Sequence, residues 1–531
     1  MRSKFLSQTF VSKAPTAFVP LAFAVLLTLG FGLPSHAATG AGADTGTAES
    51  SVRIPRSNES MGPADSASTV RAPISQVPAK KNSFDELSVS VGNETYVSRT
   101  SNPNQTSSFN EISARIRKKS QGPVLTSAID AGASVAANAN NYSNIEVPEA
   151  YFRLELPKTP EQLANEASGK STYKHLDLTV GRKKERWSGV DSDWSLGYVQ
   201  PLNKFDSLRP TEQGLTGAFA NAGFGPVNVT LYGSALYIPE QGAPYDLKNG
   251  KFTTSSPWFS TPPEALIILS QQRPAKYTLA MPEISKIVNQ TSFGGRVRLA
   301  DPDGTGFYAQ GTFLRKPQNA VALSFEGHLS IADQTQYGDV TVLPEIIYHT
   351  ITGADIGYAS EGFATEVSVV QENPDQPTLA SNITTLHLNP QTIWSPSVEV
   401  RAFPTRSWGP RLRLSYLDTA GGEAIAVGEY AQNGNLFGPR VTFRRALSSS
   451  ISSTLVNASR WSMVGTARWV EDFEENGSVL MTDLGFGFGD SWKLAFQADL
   501  LGSRKPTSNT DTFIARFRAN DRVAARLTYL F

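Results

Sequence analysis

Residues 522–531 read RVAARLTYLF, and their pattern decides the fold. Val523, Ala525, Leu527, Tyr529 and Phe531 fall on one face of an extended chain. Arg522, Ala524, Arg526 and Thr528 fall on the other. A period of two, apolar on one side and polar on the other, predicts a strand lying between two different environments. The apolar face closes on the aromatic pair Tyr529 and Phe531, as expected at a membrane-interface girdle.

Working back from this stretch, the same alternation recurs from Phe84 onward. Leu87, Val89 and Val91 alternate with serines, and Ile112, Ala114 and Ile116 alternate with Ser113 and Arg115. Val227, Val229 and Leu231 oppose Asn228, Thr230 and Tyr232, and Leu412, Leu414 and Tyr416 oppose Arg411, Arg413 and Ser415. Many of these strands run about nine to eleven residues, the length that crosses an outer membrane when tilted. A soluble sandwich has shorter strands, averaging nearer five or six residues. Trp461 and Trp469 cap one apolar stripe and stand roughly 26 Å apart along a strand. Tilt brings that to somewhat less than an apolar band of about 25 Å. The expected fold is all-β: a single large transmembrane antiparallel β-barrel over 83–531, with about 16 to 24 strands and a centre near 18–22.

The other end of the chain predicts export. Arg2, Lys4 and Lys13 precede an apolar run from Ala17 to Leu33, and Ser35-His36-Ala37 offers small residues for cleavage. The expected divisions are a cleaved signal peptide over 1–37, a low-complexity periplasmic tail over 38–82, and the barrel. The tail is rich in Ala, Ser, Thr, Gly and Pro and has no periodicity, so it cannot bury enough apolar surface to offset its ordering entropy. One helical stretch is expected, at Thr159 to Ser168.

With 48 basic and 48 acidic residues, nothing argues for a nucleic-acid partner. There is no cysteine, which excludes both lipoprotein processing and a disulfide scaffold. Beyond the leader no apolar run approaches the ~20 residues of a spanning helix. A mean hydropathy of −0.25 is what a barrel alternating lipid-facing and lumen-facing residues gives. His175, His328, His349 and His387 stand without a recognisable catalytic motif, and no metal-ligand spacing or nucleotide fingerprint appears. Neither an enzyme nor a cofactor or metal site is expected.

The terminal strand resembles the C-terminal strand of bacterial outer-membrane β-barrels, whose last Phe belongs to the signal read by the barrel-assembly machinery. The resemblance makes Leu527, Tyr529 and Phe531 the assembly signal, and implies a Gram-negative outer-membrane location among its lipids. A second resemblance lies at Glu149-Ala150-Tyr151-Phe152-Arg153-Leu154 followed by Leu176-Asp177-Leu178-Thr179-Val180-Gly181-Arg182. This looks like a strand pair of the porin and alginate-export-like group, which often has Gln where Lys183 stands here.

Three features bear on function. The stretch 182–194, RKKERWSGVDSDW, sets Arg182, Lys183 and Arg186 beside Trp187, Asp191 and Trp194, charged and aromatic groups able to hold a sugar or anion at a pore mouth. The alternative is a strand end with interface tryptophans. Arginines recur on the polar faces of the C-terminal third: Arg401, Arg411, Arg413, Arg440, Arg444, Arg460, Arg468, Arg516, Arg518, Arg522 and Arg526. Lining a water-filled lumen, they would favour anions; otherwise they pair with acids across the pore or brace an inward loop. The connection 239–291 is too long to be filler and holds the clusters Pro257-Trp258-Phe259 and Ala265-Leu266-Ile267-Ile268-Leu269. It is expected either to constrict the lumen or to cap the outside.

The expected function is a porin-like channel for passive passage of small hydrophilic, anion-biased solutes, as a monomer or homo-oligomer. The alternative is a conduit for polysaccharide export, or a surface interaction barrel, gated by 239–291. Tight turns are expected at Gly489-Asp490-Ser491 and Asn520-Asp521. The second conflicts with the rule that long loops lie outside and short turns inside.

Overall fold

The computed structural model describes residues 86–98, 107–122, 124–139, 142–156, 173–300, 305–332, 335–377, 382–404, 409–434, 436, 441–458, 460–474, 476–503 and 512–531. The expected leader and tail, the helix expected at Thr159 to Ser168, and Arg440 lie outside the described residues.

Eighteen strands form one sheet. The first nine are β1 (Glu86–Tyr96), β2 (Ser108–Gln121), β3 (Leu125–Ala136), β4 (Ser143–Glu155), β5 (Tyr173–Lys183), β6 (Leu215–Phe224), β7 (Val227–Ser234), β8 (Ser292–Ala300) and β9 (Gly306–Pro317). The rest are β10 (Tyr348–Ala359), β11 (Phe363–Pro374), β12 (Gln391–Arg401), β13 (Arg411–Gly421), β14 (Arg445–Asn457), β15 (Trp461–Asp472), β16 (Gly477–Phe488), β17 (Trp492–Ser503) and β18 (Arg522–Leu530). Each pairs antiparallel with its neighbours in sequence. β18 then pairs antiparallel with β1, Leu527 opposite Val91 and Arg522 opposite Tyr96, so the sheet closes without an edge. Closure leaves every strand paired on both sides, the condition for placing strands in hydrocarbon.

Alternation sorts the side chains as the sequence predicts. Val91, Ile112, Leu231, Val367, Leu414 and Val523 are exposed on the outer face. Trp461 and Trp469 are exposed there too, at opposite ends of β15. At the end holding the termini, Trp461, Phe488, Trp492 and Tyr529 are successive register partners across β15–β18, and Trp492 and Tyr529 meet edge-to-face at 4.7 Å. This is one arc of the aromatic girdle. The porin-type pair also forms, with Ala150 opposite Arg182 and Leu154 opposite Leu178. The fold is thus that of a transmembrane-type barrel, with an apolar outer face and polar side chains along much of its inner wall.

The two ends differ. At the termini end, connections such as 225–226, 360–362 and 489–491 are short. Apart from 156–172, the long ones lie at the opposite end: 184–214, 235–291, 318–347, 375–390, 422–444 and 504–521. The expected turn at Asn520-Asp521 is corrected here. Residues 513–517 form a short helix and not a strand, so 504–521 is one connection at the loop end. The conflict over loop lengths disappears with it. The helix forms because Phe513, Ile514 and Phe517 bury together as one apolar face at 5%, 0% and 8% exposure, a spacing of one and four.

Four of the long connections build a second sheet at the loop end. Its six strands run in the order Ala265–Ile268, Gln271–Leu279, Thr335–Glu345, Ala322–Ala332, Ile383–Leu388 and Ala424–Val427. It has its own core of Leu266, Ile268, Tyr277, Phe325, Val340 and Val342. The backbone of the outermost strand is completed at Ile267 by the Asn433 side chain, which accepts from its N–H at 2.7 Å and donates to its carbonyl at 3.1 Å. The 239–291 connection therefore divides. Ala265–Ile268 caps, whereas Trp258 is buried against β1, β18 and the 513–517 helix.

Candidate functional site

The connection 184–214 turns into the bore. Its helix, α1 (Gly189–Trp194), starts at Ser188, whose hydroxyl accepts from the Asp191 N–H at 3.4 Å, and ends at Ser195 in the left-handed region, φ 49°. The Asp191 carboxylate then accepts the N–H groups of Tyr198 at 2.8 Å and Val199 at 3.0 Å, folding the chain back after the helix. Burial pushes the Asp191 carboxyl up, against the pull of those two hydrogen bonds. A Cβ at Gly189 would run into the Glu366 carboxylate, so any larger residue there would displace the partner of Arg186.

This segment ties itself to much of the wall. Arg186 meets Glu366 of β11 at 2.5 Å, and the Gly189 N–H donates to Asp355 of β10 at 3.2 Å. The Trp187 carbonyl accepts from Gln310 and Thr312 of β9. Trp194 Nε1 donates to Ser395 of β12 at 3.0 Å, and Asp193 pairs with Arg413 of β13. Asn203 reaches Asn144 of β4 at 2.8 Å. On the far side Arg209 forks onto Asp483 of β16 and Asp499 of β17, at 2.8 and 2.6 Å. Asp206 meets Arg522 of β18 at 2.5 Å. Because the anchors lie on opposite arcs of an 18-stranded ring, the chain between them crosses the bore.

Two layers follow from the wall's own sequence. Toward the loop end, the inward positions of successive strands are apolar: Leu314, Ile351, Val370, Ile393, Leu417, Val470 and Val479 are all at most 1% exposed. Val190, Trp194, Tyr198 and Val199 of the inward segment belong to the same cluster. The other layer holds the ion pairs. Burial raises the Asp193 carboxyl against Arg413 and Arg186, and raises Asp206 against Arg522. Glu212, at the segment's return to the wall, is pushed up to about 7 by burial and by nearby Asp191.

The residues expected at a pore mouth fall in three places. Arg182 continues the outer face of Leu178 and Val180 and donates to the Gly214 carbonyl at 3.0 Å. Lys183 is buried and paired with Glu185. Arg186, Trp187, Asp191 and Trp194 belong to the inward segment, with both tryptophans buried at 1% and 5%. The alternative of interface tryptophans is thereby corrected: apolar inward wall positions give these rings a dry seat inside.

Most of the arginine row faces inward and is partnered. Arg413 pairs with Asp193, and Arg522 with Asp499 at 2.7 Å, Glu94 at 2.8 Å and Asp206. Arg526 meets Glu111 at 2.7 Å, and Arg401 and Arg411 share Glu399 at 2.7 and 3.5 Å. Arg468 donates to Ser448 at 2.9 Å and lies over the Trp194 ring. Arg444 donates to the Gly421 carbonyl at 2.5 Å at the loop-end rim. Arg460 is exposed at the termini-end turn. Arg516 and Arg518 are corrected from strand positions to the 513–517 helix and its C-cap. Leu527 and Tyr529 lie on the outer face of β18, and Phe531 just beyond it.

Sequence reading missed Asp206, Arg209, Asp355, Glu366 and Arg296. The available signal was the 184–214 connection itself, too rich in buried-type residues (Trp187, Trp194, Tyr198, Phe205) to lie in water.

No family model matches the chain, and no curated protein matches it. Solved structures do. Wzi of Escherichia coli, described as a carbohydrate-binding outer-membrane β-barrel of group 1 capsule assembly, is 10% identical, covers 84% of each chain and has a TM-score of 0.37. Pseudomonas aeruginosa OccK9 (OpdG) is 10% identical over 85% of this chain and 99% of that one, TM-score 0.39. Acinetobacter baumannii OccAB3 is 9% identical over 84% and 98%, TM-score 0.40. At these scores the functional reading rests on the barrel's own faces and interior.

Proposed function

We propose that the protein is an outer-membrane, porin-like barrel that passes small hydrophilic solutes, with a bias for anions, through a bore narrowed by its own 184–214 segment. The observation that carries this is the segment itself, tied by charged and polar side chains to opposite arcs of a closed barrel with an apolar exterior. An apolar outer face puts the wall in lipid, since a charge at the midplane there would cost about 2–4 kcal/mol. The polar part of the interior then faces water, and the segment, with the apolar layer it packs against toward the loop end, narrows the way through. The arginines supply the anion bias through their number along the wall, although acids take up most of their charge.

Planar-bilayer recording tests this. The purified protein should give small, steady steps, and replacing 187–208 with a short Gly-Ser link should enlarge them several-fold. Equal steps from both proteins would refute the segment as the constriction. No steps from either would favour the second reading, a surface interaction barrel. The six-stranded outer sheet supports that reading, because a core of its own exceeds what covering a pore requires.

A further inference from the structure

Among the described lumen arginines, Arg298 on β8 differs from the rest. Its neighbours on the outer face, Val297 and Leu299, are exposed, so Arg298 points inward, between its register partners Asn228 on β7 and Gln310 on β9. Two residues nearer the loop end, Arg296 is committed: it donates to Glu185 at 2.9 Å and to the Arg186 carbonyl at 2.8 Å. Arg186 is committed to Glu366. Arg298 has no carboxylate within 4 Å and no hydrogen bond among the described residues, and its guanidinium lies over the Tyr308 ring at 5.1 Å. Arg298 is only half-buried, on the termini side of Arg296 and level with Gln310, both of which donate to the Arg186 carbonyl.

We propose that Arg298 is a solute-binding residue of the bore and takes the carboxylate of a small organic acid arriving from the termini end. A guanidinium with no carboxylate at contact distance among the described residues keeps its fork of donors for an incoming carboxylate, which it can grip with two parallel N–H···O bonds. The Tyr308 ring backs the guanidinium, while its own hydroxyl donates to Glu366. The Asn228 amide on the adjoining strand, which also reaches His175 Nε2 at 3.5 Å, has a second N–H to supply as a neutral donor. The paired arginines of the C-terminal third have their own acids as competitors for any incoming anion, and Arg298 has none at contact distance among the described residues. This deepens the channel reading, and it rests on that reading only for the direction of arrival.

The test is succinate binding to the detergent-purified full chain by calorimetry, with bilayer recording in parallel and uncharged succinamide as control. Wild type should bind succinate and not succinamide. R298Q should weaken binding about tenfold or more, the loss of one charge-assisted contact, and R298K should recover part of it. Heat-modifiable migration checks that both variants fold. Equal binding by R298Q, or no binding by wild type, overturns the site. Arg298-dependent binding by a protein that gives no conductance keeps the site and overturns the channel reading.

Discussion

Arg209→Ala should release one end of the inward segment. Arg209 is the segment's attachment to β16 and β17. Nη1 meets both oxygens of Asp483 at 2.8 and 3.0 Å, while Nε and Nη2 meet Asp499 at 3.0 and 2.6 Å. Its side chain is 20% exposed, and that of Asp499 is fully buried. Breaking a buried pair by truncating one partner costs about 3–5 kcal/mol, because the abandoned charge stays behind. Here the low end applies, since Asp499 keeps Arg522 at 2.7 Å and Asp483 keeps Gln497 at 2.9 Å. At about 1.4 kcal/mol per decade, roughly 3 kcal/mol raises the undocked fraction of residues near Arg209 about a hundredfold. Amide hydrogen exchange in detergent should show faster exchange at 205–212, with β16 and β17 unchanged. Bilayer traces should gain brief large openings. Arg209→Lys should fall between, keeping the charge without the fork. Unchanged exchange at 205–212 would refute the account of this arginine as an anchor.

Three further outcomes follow from other parts of the molecule. Trp258→Ala removes a ring 2% exposed, stacked at 8° on Phe513 and donating to the Tyr96 hydroxyl at 2.9 Å. It should cost about 3–5 kcal/mol and lower the temperature of the gel-mobility transition; no shift would mean the mouth collapses around the gap. Val367→Arg, mid-strand on the outer face, should cost about 2–4 kcal/mol and reduce the folded fraction, and normal folding would argue against lipid contact there. Glu212, whose carboxyl is raised from 4.5 to about 7 in the docked segment, binds a proton more tightly there than in the undocked chain. Its contribution to docking is complete below about 4.5 and is lost as pH rises through about 7. Conductance should therefore rise across that window and flatten in Glu212→Gln; an identical pH profile in the variant would remove Glu212 as the cause.

The outer half of the fold was legible because one face of each strand meets a uniform solvent. Lipid makes the same demand at Val91, Leu231, Val367 and Val523, so the period of two survives as a run of apolar residues and can be read without knowing the neighbours. The inner face has no such uniformity. Leu314 and Ile351 are apolar because Val190 and Trp194 pack inside the ring, and Gln310 is polar because it answers the Trp187 carbonyl. Each depends on a segment more than a hundred residues away in sequence, and no local pattern announces it. The same cause misplaced residues 513–517, where Phe513 and Phe517 look like strand residues until Trp258 supplies something to stack on.

That dependence also says where function should be sought. The arginines that drew attention by their spacing are mostly those the fold consumes: Arg413 and Arg522 neutralise Asp193 and Asp206 of the inward segment, and Arg526 of β18 reaches over β1 to neutralise Glu111 of β2. A charge placed to hold the protein to itself has its acid within about 3 Å. A solute carrying the same carboxylate chemistry must compete with a tethered partner already desolvated in place, and it loses unless its concentration exceeds the partner's effective molarity, which reaches the millimolar range even for loosely linked groups. Arg298, outside the C-terminal row, has no such competitor at contact distance among the described residues. Conspicuous spacing therefore marks the arginines that brace the segment, and an unfilled donor set marks the one left to meet what comes through.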